Sequence, residues 1–151
     1  MKMARPKPPQ APPETDPRFP SGAWTGFYLQ GESPRKLQLE LTLAFAGGNL
    51  KGDGRDYLGK FRIKGTYQID EGTCTWTLSY YSMGSRTYRG YNEGKGIWGT
   101  WNMEKFWRGG FYIWPVGMPD PTGGRMRPFT NLGGGMGFSP WKDDPEPTAE
   151  E

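Results

Sequence analysis

The stretch Gly52–Ile69 reads GDGRDYLGKFRIKGTYQI, and its reading decides the fold. Its glycines suggest a phosphate-binding loop, while its second half alternates. A phosphate loop needs glycine, then Lys and Ser or Thr, at the mouth of a helix. Here Gly59-Lys60 is followed by Phe61. Downstream the period is two: Phe61, Ile63, Gly65, Tyr67 and Ile69 share one face, and Arg62, Lys64, Thr66 and Gln68 the other. The segment therefore predicts bends at Gly52, Gly54 and Gly59, where glycine permits unusual backbone. A strand with one buried and one wet face follows them.

Working outward, the same rhythm recurs. Leu37–Phe45 sets Leu37, Leu39, Leu41, Leu43 and Phe45 against Gln38, Glu40, Thr42 and Ala44, and AGGN at Ala46–Asn49 turns the chain. Ala23–Gln30 places Trp24, Gly26 and Tyr28 together. Cys74–Tyr81 places Cys74, Trp76, Leu78 and Tyr80 together. Thr87–Tyr91 is a short strand. Gly96–Met103 aligns Ile97, Gly99, Trp101 and Met103, and Gly110–Pro115 sets Phe111 and Ile113 opposite Tyr112 and Trp114. Short turn sequences lie between them, and no segment has a useful helical period. About eight short strands with tight connections predict an antiparallel meander. Closing that meander into a barrel hides both of its edges. Gly26 beside Tyr28, Gly65 beside Tyr67 and Gly99 beside Trp101 suit the tight interior of a small barrel. A two-sheet sandwich is the alternative.

The order of these segments resembles the avidin and calycin class of small barrels. The elements are GAWTGFY (Gly22–Tyr28), GGNLKGDG (Gly47–Gly54), FRIKGTYQI (Phe61–Ile69), CTWTLSYY (Cys74–Tyr81), YRGY (Tyr88–Tyr91) and GIWGTW (Gly96–Trp101). The resemblance spans Ala23–Pro115 and is one of rhythm. It implies the barrel topology and carries over no biotin site.

Composition sets the boundaries. Of 151 residues, 24 are Gly and 15 are Pro, and the prolines crowd into Arg5–Pro20 and Pro115–Pro147. The expected organisation is a Pro-rich N-terminal tail (1–22), a β-barrel domain (23–116), and a Gly/Pro-rich C-terminal tail with an acidic end (117–151). The chain carries +3. Residues 1–22 contribute +2 and residues 141–151 contribute −4, which leaves +5 on residues 23–140. That is modest for a nucleic-acid binder. There is no apolar run long enough for a membrane span, no secretory h-region and no lipidation motif. With Cys74 alone no internal disulfide forms, and a cytoplasmic location is the expectation.

The chain has no His and one Cys. Ser-His-Asp and Cys-His mechanisms and tetrahedral zinc sites are therefore excluded, and no metal or cofactor is expected. Glu32, Glu40, Asp53, Asp56, Asp70, Glu71, Glu93 and Glu104 offer no pair suited to carboxylate chemistry, so no catalytic residue is assigned and an enzyme ranks last. Asp53 and Asp56 read as a solvated turn, capping backbone amides and pairing with Arg55. Lys60, Arg62 and Lys64 read as a wet strand face, and nucleic acid ranks third among the partners.

The aromatics, with seven Trp, eight Tyr and eight Phe, carry most of the functional signal. Trp24, Tyr28, Tyr67, Trp76, Tyr80 and Trp101 are the candidate lining of an interior site for a small hydrophobic ligand. Phe27, Leu29, Tyr81, Trp98, Tyr112 and Trp114 point outward, and barrel closure makes them one patch. Phe27, Tyr81, Trp98, Tyr112 and Trp114, with Phe129, Phe138 and Trp141 of the C-terminal tail, are the candidate interaction surface. The first expectation is a non-enzymatic protein-interaction or structural accessory module that docks on a protein partner or on itself. The second is a calycin-like carrier.

Overall fold

The computed structural model describes residues 11–82, 84–104 and 107–123. They form eight antiparallel strands: β1 (Gly22–Tyr28), β2 (Leu37–Ala46), β3 (Asn49–Asp56), β4 (Gly59–Gln68), β5 (Thr73–Tyr80), β6 (Ser85–Asn92), β7 (Ile97–Met103) and β8 (Trp107–Pro115). Each strand pairs with the next, and β8 returns to β1, so the meander closes into an up-and-down barrel. Closure runs from Trp24 opposite Pro115 to Tyr28 opposite Phe111. It continues past the strand ends through Leu29 N–H to Gly110 O at 2.9 Å and Gly31 N–H to Arg108 O at 2.7 Å. No sheet edge is left unpaired by this arrangement. Among the described residues no helix is long and apolar enough to cross a membrane.

Gly47 and Gly48 join β2 to β3 with φ of 58° and 83°. Two consecutive positive φ values make the tight hairpin turn whose twist matches its strands. The glycines of the opening stretch work differently. A Cβ on Gly54 would stand 2.2 Å from the Glu40 carbonyl oxygen and 2.8 Å from the Phe61 ring. One on Gly65 would stand 2.0 Å from the Thr75 oxygen. At both points neighbouring strands come closer than any side chain permits, as sharp barrel curvature requires. The stretch Gly52–Gln68 is thus the end of one barrel strand, a turn, and the next strand. Ile69, expected on the inner face, lies past the end of β4 and is 42% exposed.

The inward face is a continuous aromatic and aliphatic core. One cross-strand row runs Gly65, Trp76, Tyr88, Trp101, Gly109 from β4 to β8, large rings in the middle and glycine at each end. Trp76 and Tyr88 stack with centroids 5.4 Å apart, and Phe111 meets Tyr88 edge-on at 4.9 Å. Such pairs contribute about 1 kcal/mol each beyond the area they bury.

The segment preceding β1 plugs one end of the barrel. Phe19 is fully buried between Phe45 and Tyr67, with ring centroids 5.4 and 5.0 Å away. Glu14 binds twice, its N–H to Phe45 O at 2.9 Å and its carboxylate accepting from the Tyr67 hydroxyl at 2.5 Å. Arg18 donates to Ile69 O at 2.6 Å, and the Asn92 amide donates to Arg18 O.

Candidate functional site

At the far end of the barrel, opposite the Phe19 plug, β6 turns a cation inward. Its alternation buries Arg86, Tyr88, Gly90 and Asn92 and leaves Ser85 and Arg89 in solvent. Arg86 lies opposite Leu78, and Leu78 opposite Ile63, so the guanidinium occupies a row that is otherwise aliphatic. It is 4% exposed. Three rings surround it: its Cζ is 4.1 Å from the Trp101 ring centre, 4.9 Å from Tyr28 and 5.6 Å from Tyr80. A guanidinium is never neutral in a protein, and desolvated cation–π contacts of about 2 kcal/mol each offset part of its burial.

The rings do not satisfy its hydrogens. Nε and Nη1 of Arg86, the Tyr28 and Tyr88 hydroxyls and the Trp76 indole N–H make no hydrogen bond of good geometry, although the guanidinium stands close enough to both phenols to act on their ionisation. Burial pushes the Tyr28 and Tyr88 phenols up, so both stay protonated. Tyr80 is also pushed up, first by burial and then by its hydrogen bond to Asp56 at 2.5 Å. Asp56 is therefore already engaged: one oxygen accepts from Tyr80 and the other accepts the Leu58 amide at 2.9 Å. Among the described residues no carboxylate lies within ion-pair distance of Arg86. The far end thus holds an excess of buried donors, one of them charged.

Over this end lies a cleft of about 260 Å³ lined by Gln30, Ser33, Arg35, Leu37 and Tyr57. Leu37 is paired with Tyr28, whose ring covers Arg86. None of the cage residues lines the cleft itself; Leu37, which does, packs against the core cluster that includes Tyr28.

Of the six interior residues singled out from sequence, all are buried and inward. Tyr28, Tyr80 and Trp101 surround Arg86, and Trp76 joins them through Tyr88. Trp24 and Tyr67 do not belong to this group. They sit at the plugged end, where Trp24 donates to Pro20 O at 2.9 Å and Tyr67 donates to Glu14. Arg86, Tyr88 and Asp56 were not singled out as site residues. Stepping back two places from Tyr88 in the period-two pattern reaches Arg86, and that was the available signal. The Asp56 carboxylate does cap a turn amide, but Arg55 pairs with Glu40 at 3.3 Å and not with either aspartate.

The outer aromatics are largely covered. Phe27, Trp98, Tyr112 and Trp114 form a second apolar cluster with Leu29 on the outside of β1, β7 and β8, and each is buried. An exposed patch at these four positions is therefore not what the fold presents. Tyr81 is 63% exposed and accepts from Arg62 Nε at 3.1 Å. Phe129, Phe138 and Trp141 lie outside the described residues. Beside Tyr81, a groove of about 620 Å³ crosses the outer face of β1 to β4, and Thr25, Thr42, Asp53, Lys60 and Val116 help to line it. Among the described residues no group of three or more Cys, Asp or Glu is placed to hold a metal ion.

No protein-family model, no curated protein and no solved structure matches this chain at a significant level.

Proposed function

We propose that this protein is a non-enzymatic interaction module, a rigid barrel that docks on a protein partner through its outer surface. The observation that carries this reading is the filled middle of the barrel. Trp76, Tyr88 and Phe111 meet ring to ring there, with centroids 4.9 to 5.4 Å apart. A packed interior favours a role for the outside. The groove beside Tyr81 supplies an aromatic, apolar contact at Val116 and charges of both signs, the composition of a transient protein interface. The avidin- and calycin-like relationship belongs to the same proposal and rests on the strand rhythm together with closure.

The test is the particle mass in native extract and after purification, measured by size exclusion with light scattering. A particle well above the 17.0 kDa chain, brought to chain mass by Tyr81→Asp, supports the reading. A monomer in both settings overturns it.

The second reading is a carrier of a small ligand within the barrel. The unpartnered donors around Arg86 favour it.

A further inference from the structure

We infer that the Arg86 end of the barrel is a binding site for the carboxylate of a small organic acid. The donor inventory leads there. Arg86 Nε and Nη1, the Tyr28 and Tyr88 hydroxyls and Trp76 Nε1 are all buried and unpartnered. Even if both phenol oxygens accept from the guanidinium, the cluster still has more hydrogens than acceptors. A buried polar group without a partner costs about 1 to 3 kcal/mol, and a charged one more. The two guanidinium nitrogens and the two phenols make an acceptor-poor, positively charged cluster, with the Trp76 indole stacked on Tyr88 behind it. Asp56 does not relieve it: its oxygens accept from Tyr80 and the Leu58 amide, and none of these donors makes a hydrogen bond to it.

An acid supplies what is missing. Its two oxygens accept from donors that now have none, and its charge neutralises Arg86 in a low-dielectric setting where that is worth most. The flat rings of Trp101, Tyr28 and Tyr80 accept a planar or apolar body beside the headgroup. The cleft above the cage gives the approach, with Arg35 adding positive charge at its rim. Admission of a ligand requires side chains at this end to shift, and Leu58 and Met103 are only partly buried against the core. This inference deepens the carrier reading and is independent of any protein partner.

The experiment is calorimetric titration of the purified full chain with benzoate and hexanoate, using benzyl alcohol, hexanol and inorganic phosphate as comparison probes. The expected result is saturable binding of one acid per chain, with the alcohols weaker by about tenfold or more. Tyr28→Phe keeps the ring and removes one donor, and it should weaken the acids several-fold. Arg86→Met should abolish binding, and Arg86→Lys should restore part of it. No saturable heat from either acid overturns the inference, as does an unchanged affinity in Tyr28→Phe or in a folded Arg86→Met. Saturation by phosphate but not by carboxylates overturns the ligand class. Because no partner is present in the cell, failure here leaves the docking proposal standing.

Discussion

Trp101 donates its indole N–H to the carbonyl of Leu29 at 2.8 Å, joining β7 to the chain just beyond β1 across the full width of β8. Gly109 makes that bond possible. A Cβ there would stand 1.8 Å from the Leu29 oxygen and 2.9 Å from the indole nitrogen. The wall of the Arg86 cage is therefore held by a glycine on a third strand.

Gly109→Ala should accordingly destabilise the barrel by on the order of 3 kcal/mol, since the strained atoms are backbone and cannot yield cheaply. Trp101→Phe should cost about as much, through lost volume and an orphaned carbonyl. Urea unfolding followed by circular dichroism checks both. A loss under about 0.5 kcal/mol for Gly109→Ala would mean the strands separate there at little cost.

Phe19 seals the end remote from Arg86. Phe19→Ala should lower stability by about 3 to 5 kcal/mol, as for other fully buried rings. It should leave benzoate affinity within about twofold of the unaltered chain, because the plug and the cage occupy opposite ends. Thermal melts and titration of the same variant give both numbers.

Acid should loosen the plug first. Hydrogen bonds from Arg18 hold the Asp16 carboxyl down at about 2, and the Tyr67 hydroxyl holds Glu14 below its ordinary value. Groups depressed in the fold contribute stability above their unfolded values. That contribution is lost as pH falls through the folded ones. The melting temperature should therefore drop between about pH 4 and pH 2, and Asp16→Asn should flatten that limb. An Asp16→Asn profile that matches the unaltered chain would refute the assignment.

Alkali should act through the tyrosines. Burial raises the phenols of Tyr28, Tyr80, Tyr88 and Tyr112, and burial with the Glu14 bond pushes Tyr67 up to about 12. An acid held protonated by the fold contributes fully below the ordinary phenol value near 10, and loses that contribution as pH rises through the folded one. Ionisation of these five, followed by ultraviolet absorbance, should coincide with loss of circular dichroism. Ionisation well before unfolding would mean the interior admits water.

Cys74 is buried, faces the core, and has its thiol pushed up by burial. In the native protein it should not react with a disulfide reagent at pH 8, and it should react completely in denaturant. Prompt native reactivity would show that β5 opens readily.

The sequence by itself determined the strands and their meander, while closure into a barrel rather than a two-sheet sandwich was decided by the pairing of β8 with β1. Alternation in Leu37–Phe45 and Phe61–Tyr67 sorts each side chain inward or outward, because a strand's period of two is local. Short turns such as Ala46–Asn49 then leave a meander as the economical topology. The inward sets Trp24 with Tyr28 and Trp76 with Tyr80 were legible for that reason. The same local rule assigns a face but no height along the barrel axis. That Tyr67 meets Phe19 and Trp24 meets Phe45 at one end while Tyr28, Tyr80 and Trp101 enclose Arg86 at the other follows from the cross-strand register, which closure of β8 on β1 fixes. The burial of Phe27, Trp98, Tyr112 and Trp114 also lies beyond the pattern, since alternation marks them as outer without saying whether that outer face is covered. Only the tertiary structure decided that Arg86, one charged residue in a short polar strand, stands inside an aromatic cage with hydrogens to spare. Burial of a charge depends on what distant strands place around it, and that is written in no single strand.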